Sequence, residues 1–163
     1  MIDRFLTLGR YARHQAGAEA ILFTCSAFGP AIDAVAADLG IPVHKPNSAM
    51  IERAVALANG GRIGLVATFE PTLQSMPPEF PAGTDLSLIH VPGALAAAQA
   101  GNGAEHDRLA GETVAAQGAD CAVIALSQFS LARARAEVKR RSGKAVLVTP
   151  DCAVEAIRAA LDR

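Results

Sequence analysis

GAEAILFTCSAF, residues 17–28, and GADCAVIALSQF, residues 118–129, share one pattern. Each opens on glycine and places an acid third. An apolar run comes next, then a small polar residue and a phenylalanine. The apolar runs are too short and too continuously hydrophobic to be amphipathic helices, so they read as buried parallel strands. The downstream segments repeat as well. A helix leads to a short strand, IPVHKP (41–46) or KAVLVTP (144–150), and then to a final helix, NSAMIERAV (47–55) or DCAVEAIRA (151–159). Glycine to glycine the offset is 101 residues, from 17 to 118. This is the pattern of a duplicated α/β unit.

On the N-terminal side, Ile2, Phe5, Leu6, Leu8 and Tyr11 keep helical spacing, and Gly17 ends that first helix. Pro30 suits the first turn of a helix over 31–39, closed by Gly40. Residues 62–68 form a strand rich in β-branched side chains, and 86–91 form another that stops at Pro92. Between them, 69–83 holds four prolines and reads as a loop with a helical turn. Helices over 105–117, 131–141 and 151–161 alternate with strands at 121–126 and 145–148. The expected fold class is therefore α/β, two pseudo-symmetric parallel-sheet lobes. The first lobe takes residues 1–60 and 150–163, the second 61–149.

The halves are unequal. Two strands precede Gly118 in the second half, whereas only a helix precedes Gly17 in the first. By the logic of the repeat, the first lobe lacks its N-terminal strands, a segment of roughly 40 residues. An upstream start, or another cover for the exposed sheet edge, is the corresponding expectation.

Composition narrows the class of function. Of 163 residues, 51% are hydrophobic and 19% charged, enough for a packed interior. A formal charge of −1 gives no electrostatic reason to expect nucleic acid. No run of apolar residues reaches the roughly 18 needed for a membrane span. Cys25, Cys121 and Cys152 lack metal-type pairing, so a reduced, cytoplasmic protein without a bound metal is expected.

In a parallel sheet the carboxyl ends of the strands form the ligand crevice. Thr24, Cys25 and Ser26 collect there, with Thr68 and Thr72, His90, and Ser127 and Gln128. Helices begin after the first and last of these groups. Their free N–H groups can hold a carboxylate or phosphate and favour a thiolate at Cys25.

TCSAFG (24–29), VATFEPTLQS (66–75) and LSQFSLA (126–132) resemble motifs of the aspartate/glutamate/hydantoin racemase superfamily, which includes arylmalonate decarboxylases and maleate isomerases. The resemblance runs from Gly17 onward. It implies two α/β halves with the active site between them, and chemistry without metal or pyridoxal phosphate. In the racemases two cysteines flank the substrate's α-carbon. The first family pattern, C-N-T, falls on Cys25, Ser26 and Ala27. The second, C-T-E, falls on Ser127, Gln128 and Phe129, where the thiol is absent. The gapless repeat instead sets Leu126 opposite Cys25, so both registers stand open. Thr68, Thr72 and Ser75 match the loop that grips substrate carboxylates.

A hydroxyl is a far weaker acid and base than a thiol, which disfavours symmetric two-base racemisation. The expectation is a cofactor-independent enzyme, isomerase or decarboxylase in type, acting on a small carboxylate. Cys25 and Ser127 are its catalytic candidates; Ser26, Thr68, Thr72 and Gln128 are its substrate-binding ones. A homo-oligomer is the further expectation from the resemblance. The alternatives are a degenerate member that only binds a small anion, and a truncated inactive one. Cys121 reads as core, Cys152 as a cap neighbour and Glu70 as solvated. His90 reads as a structural histidine; His14, His44 and His106 read as surface or helix-flank residues.

Overall fold

Strand and helix alternate along the chain in the computed structural model, which describes residues 1–24 and 28–162. The order is α1 (Ile2–His14), β1 (Ile21–Leu22), α2 (Gly29–Leu39), β2 (Val43–His44), α3 (Ser48–Ala58) and β3 (Ile63–Ala67). Next come α4 (Glu70–Ser75), β4 (Leu86–His90), α5 (Ala94–Gln99), α6 (Gly103–Gln117) and β5 (Val123–Leu126). The chain closes with α7 (Arg135–Ser142), β6 (Ala145–Val148) and α8 (Thr149–Leu161). Short 3-10 turns lie at Pro77–Glu79 and Phe129–Ala134. The chain divides into two units, Met1–Ala49 with the segment from Asp151 onward, and Met50–Pro150. Most of α3, counted with the first lobe on sequence, groups with the second unit.

In the first unit β1 and β2 pair in parallel, Ile21 beside Val43 and Leu22 beside His44. Helix α1 lies on α2 through a glycine. A Cβ at Gly9 would sit 2.6 Å from Val35 Cγ1, so only glycine allows this approach. The Arg10 guanidinium grips Asp38 with two bonds of 2.8 and 2.7 Å. Phe5 stacks on Phe23 with ring centroids 5.2 Å apart. Among the described residues, Ile21 and Leu22 form the ladder of β1; the apolar run that predicts it, 20–25, ends on Cys25, outside the described residues.

The second unit carries four parallel strands in the order β4-β3-β5-β6. Leu65 pairs with Leu88 on one side and Ala125 on the other, and Ala125 with Leu147. The inner strands β3 and β5 are buried along their whole length, as a sheet covered on both faces requires. Val66, Ile89, Ile124, Leu126, Val146 and Val148 supply one face. They meet Ala110 and Val114 of α6, Leu131 and Ala134 of the second 3-10 turn, and Val138 of α7. Alternate residues of β3, Ile63 and Leu65, belong to the opposite face by the two-residue period of a strand.

Two strands against four is the inequality the repeat implied. Both repeats also end their second-layer helix alike. Gly40 caps α2 at φ 61° and Gly143 caps α7 at φ 67°, a left-handed backbone that favours glycine. Helix α7 is exposed on its charged side, at Arg135, Lys139, Arg140 and Arg141. Arg140 and Arg141 both bond Glu137 and hold its carboxyl down to about 2.

The proline segment holds more order than a loop, in α4 and the turn Pro77–Glu79. Pro71 and Pro77 sit in first turns, where a missing N–H costs nothing. No helix among the described residues is long and apolar enough to cross a membrane.

Gly64 of β3 faces the tightest part of this core. A Cβ there would lie 2.7 Å from Ile124 Cδ1 and 3.2 Å from Cys121 Sγ. Gly64→Val is expected to lower unfolding free energy by about 2–3 kcal/mol. Urea denaturation checks this; a wild-type midpoint would show that the core has room.

Candidate functional site

The strand order places a topological switch in the second unit. From β3 the chain crosses to β4 on one side, then returns past β3 to β5 on the other. Ligand crevices in open parallel sheets form at that reversal, outside the carboxyl ends of the two strands that flank it. Here those strands are β3 and β5, and the residues just past their ends are Thr68, Ser127 and Gln128.

The carboxyl edge is laced by side chains that continue the ladder. Ser127 N–H donates to the Val66 carbonyl at 3.0 Å, and its hydroxyl donates to the same oxygen at 2.7 Å. One strand further, the Thr149 hydroxyl donates to the Leu126 carbonyl at 3.0 Å. Both residues are buried, at 4% and 0% exposure. Strands β3, β5 and β6 are thus joined beyond their last regular pairs.

Gln128 completes the lacing with a different group. Its side-chain Oε1 accepts from the Thr68 backbone N–H at 2.7 Å and from the Thr68 hydroxyl at 3.0 Å. A backbone N–H can only donate, so the carboxamide must present oxygen to Thr68. Its NH2 group is therefore turned away, with two hydrogens to give. Gln128 is half-buried, caps the 3-10 turn Phe129–Ala134 and has extended backbone. The arrangement offers a donor to an acceptor oxygen beside the switch point. Among the described residues, the partner of the Gln128 oxygen is Thr68, a neutral residue.

Thr72 is half-buried on α4, and its hydroxyl has no partner among the described residues. Ser75 is exposed, and its hydroxyl turns back to the Thr72 carbonyl at 3.4 Å. Glu70 is exposed. His90 ends β4, half-buried, beside Ala67 of β3. Cys25 and Ser26 lie outside the described residues.

Cys121 is buried just before β5, and burial, helped by the charge of Asp120, pushes its thiol up. That suits a core cysteine and opposes a nucleophile. Cys152 is buried as well. No group of three or more metal-ligating side chains occurs among the described residues.

His106 corrects its sequence reading. It is 1% exposed, on the inner side of α6, with Nδ1 2.8 Å from Asp107 Oδ1. Asp107 in turn accepts from Arg133 Nε at 2.9 Å. Helical spacing accounts for its burial, since Ala110 and Val114, four and eight residues on, share its face. Nε2 of His44 is likewise buried without a hydrogen-bond partner among the described residues. Thr149 is a residue that sequence reasoning passes over, although it comes after β6 as Ser127 comes after β5.

Ser127→Ala is expected to cost about 1 kcal/mol, since Val66 O keeps one of its two bonds. Thermal and urea unfolding of the variant measure it. An unchanged stability would mean that the hydroxyl is not bound to that carbonyl.

No family model and no curated protein sequence matches the chain. Solved structures do. A glutamate racemase from Bacillus anthracis aligns at a TM-score of 0.71 and 12% identity, over 99% of this chain and 66% of that one. Arylmalonate decarboxylase aligns at 0.65 and 18%, over 98% of this chain and 75% of its own. A Thermus thermophilus glutamate racemase, solved with beta-chloro-D-alanine, aligns at 0.68 and 20%, over 96% and 64%. The chain thus spans about two thirds of the racemases' length. Alternating parallel strands, two unequal sheets and these alignments lead to one conclusion: the chain has the fold of the aspartate/glutamate/hydantoin racemase superfamily.

Proposed function

We propose that this chain is a cofactor-independent enzyme of that superfamily, acting on a small carboxylate with Cys25 as its single acid/base group. The observation that carries the reading is the Gln128 carboxamide, its oxygen held by Thr68 and its NH2 group left to donate. A neutral amide donor can pair with a carboxylate or with the oxygen of an enolate-like intermediate. Thr68 and Gln128 form the carboxylate-binding edge, with Thr72 and Ser26 contributing hydroxyls.

The repeat supports one-sided chemistry. First residues of β1 and β5, Ile21 and Val123, are 102 apart, as are those of β2 and β6, Val43 and Ala145. By that count position 25 corresponds to Ser127, not Leu126. The Ser127 proton is committed to Val66 O, so Ser127 acts as a positioning residue and leaves Cys25 alone as acid or base. Two reactions are open to one thiol. In decarboxylation the carbon–carbon bond to CO2 breaks, its electron pair stays on the α-carbon, and the Cys25 thiol supplies the proton. In isomerisation the Cys25 thiolate adds to a double bond, the remaining single bond rotates, and the thiolate leaves again.

The same Ser127 hydrogen bond favours a second reading, a protein that binds small anions without turning them over. One experiment separates the two. Wild type, Cys25→Ala and Gln128→Glu are incubated in deuterated water with malonates, maleate, aspartate and glutamate, and products are read by mass spectrometry and NMR. Catalysis predicts deuterium uptake, CO2 release or isomerisation, reduced at least about 1,000-fold in Cys25→Ala and about 100-fold in Gln128→Glu. Gln128→Glu keeps the acceptor for Thr68, removes the donor and adds a negative charge that also repels an anionic substrate. No Cys25-dependent turnover, with carboxylates still raising the melting temperature, establishes the binding reading instead.

A further inference from the structure

We propose that Asn47 is a positioning residue for Cys25, its side-chain NH2 group fixing the chain where β1 runs out and the thiol follows. The inference rests on the reading of Cys25 as the acid/base group. Asn47 is 2% exposed, one of five buried polar residues among those described. The other four are Thr68, His106, Ser127 and Thr149, and their hydrogen bonds lie within the second unit. Asn47 belongs to the first unit, the one that carries Cys25.

Register relates the two residues. Leu22 stands level with His44, and Phe23 N–H donates to the His44 carbonyl at 3.1 Å, so the pairing outruns β1. Counted three residues on from that pair, Cys25 is level with Asn47. The second half repeats the count among described residues. Leu126 is level with Val148, and one residue on Ser127 is level with Thr149. Positions 25 and 127 are 102 apart, as are 47 and 149. In the second half the Thr149 hydroxyl donates to the Leu126 carbonyl at 3.0 Å and so holds the peptide that leads into Ser127.

Hydrogen-bond accounting separates this role from the ordinary one. Asn47 directly precedes Ser48, where α3 begins, and asparagine there is a good helix cap. A cap uses the side-chain oxygen, which accepts from an N–H of the first turn. The NH2 group keeps two hydrogens, and in a side chain so buried they are given to protein acceptors. Thr149 has one hydrogen to give and spends it on the strand end. Asn47 has one more than that stitch takes. A donor of this kind beside a thiol favours the thiolate without adding charge.

Iodoacetamide labelling of the whole chain over a pH series tests this without any substrate, with peptide mapping to assign the label to Cys25. His44, Lys45 and Asp33, the titratable groups around the carboxyl end of β2, are the same in every variant. Asn47→Asp keeps the cap oxygen and has no hydrogen to give, Asn47→Ala has neither, and Asn47→Thr restores the single hydrogen that the second half uses. Circular dichroism verifies the fold. The expected result is a labelling midpoint about one pH unit higher in Asn47→Asp and Asn47→Ala, a tenfold loss of thiolate at neutral pH, and a midpoint within about 0.3 unit of wild type in Asn47→Thr. Unchanged midpoints in Asn47→Asp and Asn47→Ala make Asn47 a helix cap only and overturn the inference, while turnover of carboxylates can still be found. A raised midpoint in a protein that turns over no carboxylate upholds the inference and counts against the enzyme reading alone. Cys25 that resists labelling at every pH overturns both.

Discussion

A backbone N–H has no choice but to donate, and the one on Thr68 donates to a side chain sixty residues away. That constraint orients the Gln128 carboxamide without reference to any ligand. The oxygen is used up by the N–H and hydroxyl of Thr68, and the two amide hydrogens are left for something else. Were the amide reversed, two donors would face each other at 2.7 Å in a partly buried setting, at a cost above that of one lost hydrogen bond. The bond also ties the exit of β3 to the exit of β5, across the reversal in strand order. Ser127 and Thr149 make the same kind of stitch on neighbouring strands. A rigid edge with one oriented donor is the kind of preorganisation that favours charge developing on a substrate oxygen.

The stitches divide the polar residues into two kinds. Ser127 and Thr149 are consumed by the fold, because each hydroxyl proton already belongs to a neighbouring carbonyl. Gln128 and Thr72 retain capacity. Nothing in composition separates these kinds, since serine, threonine and glutamine after a strand look equivalent as letters. The difference arises from register. Val66 and Leu126 are the last pair of β3 with β5, so the next residue after β5 reaches back to the Val66 carbonyl.

Much of the architecture is legible in the sequence. The repeat implies alternating strands and helices, the parallel sheets and their inequality, because buried runs such as 123–126 and capping glycines such as Gly40 and Gly143 are local signals. Strand lengths are less so. Within the apolar run that starts at Ala20, the strand takes Ile21 and Leu22, which stand beside Val43 and His44, among the described residues. Helix α5 escapes detection, its alanine-rich stretch having no polar face to give a period. At the site, Thr68, Ser127 and Gln128 are marked by their position after strands, but which of them keeps a free donor depends on pairings sixty residues apart. His106 misleads because a charged neighbourhood, Glu105 to Arg108, outweighs its spacing from Ala110 and Val114.

Everything functional turns on what the Gln128 NH2 group meets. Its two side-chain proton resonances can be followed by nitrogen–proton NMR while malonate, acetate and inorganic sulfate are titrated in. The expected outcome is a saturable shift of the Gln128 NH2 pair with malonate, accompanied by the Thr68 amide, and no such shift with sodium chloride at equal ionic strength. An NH2 pair that stays put while other residues respond to malonate would place the anion elsewhere and refute a carboxylate site at this edge.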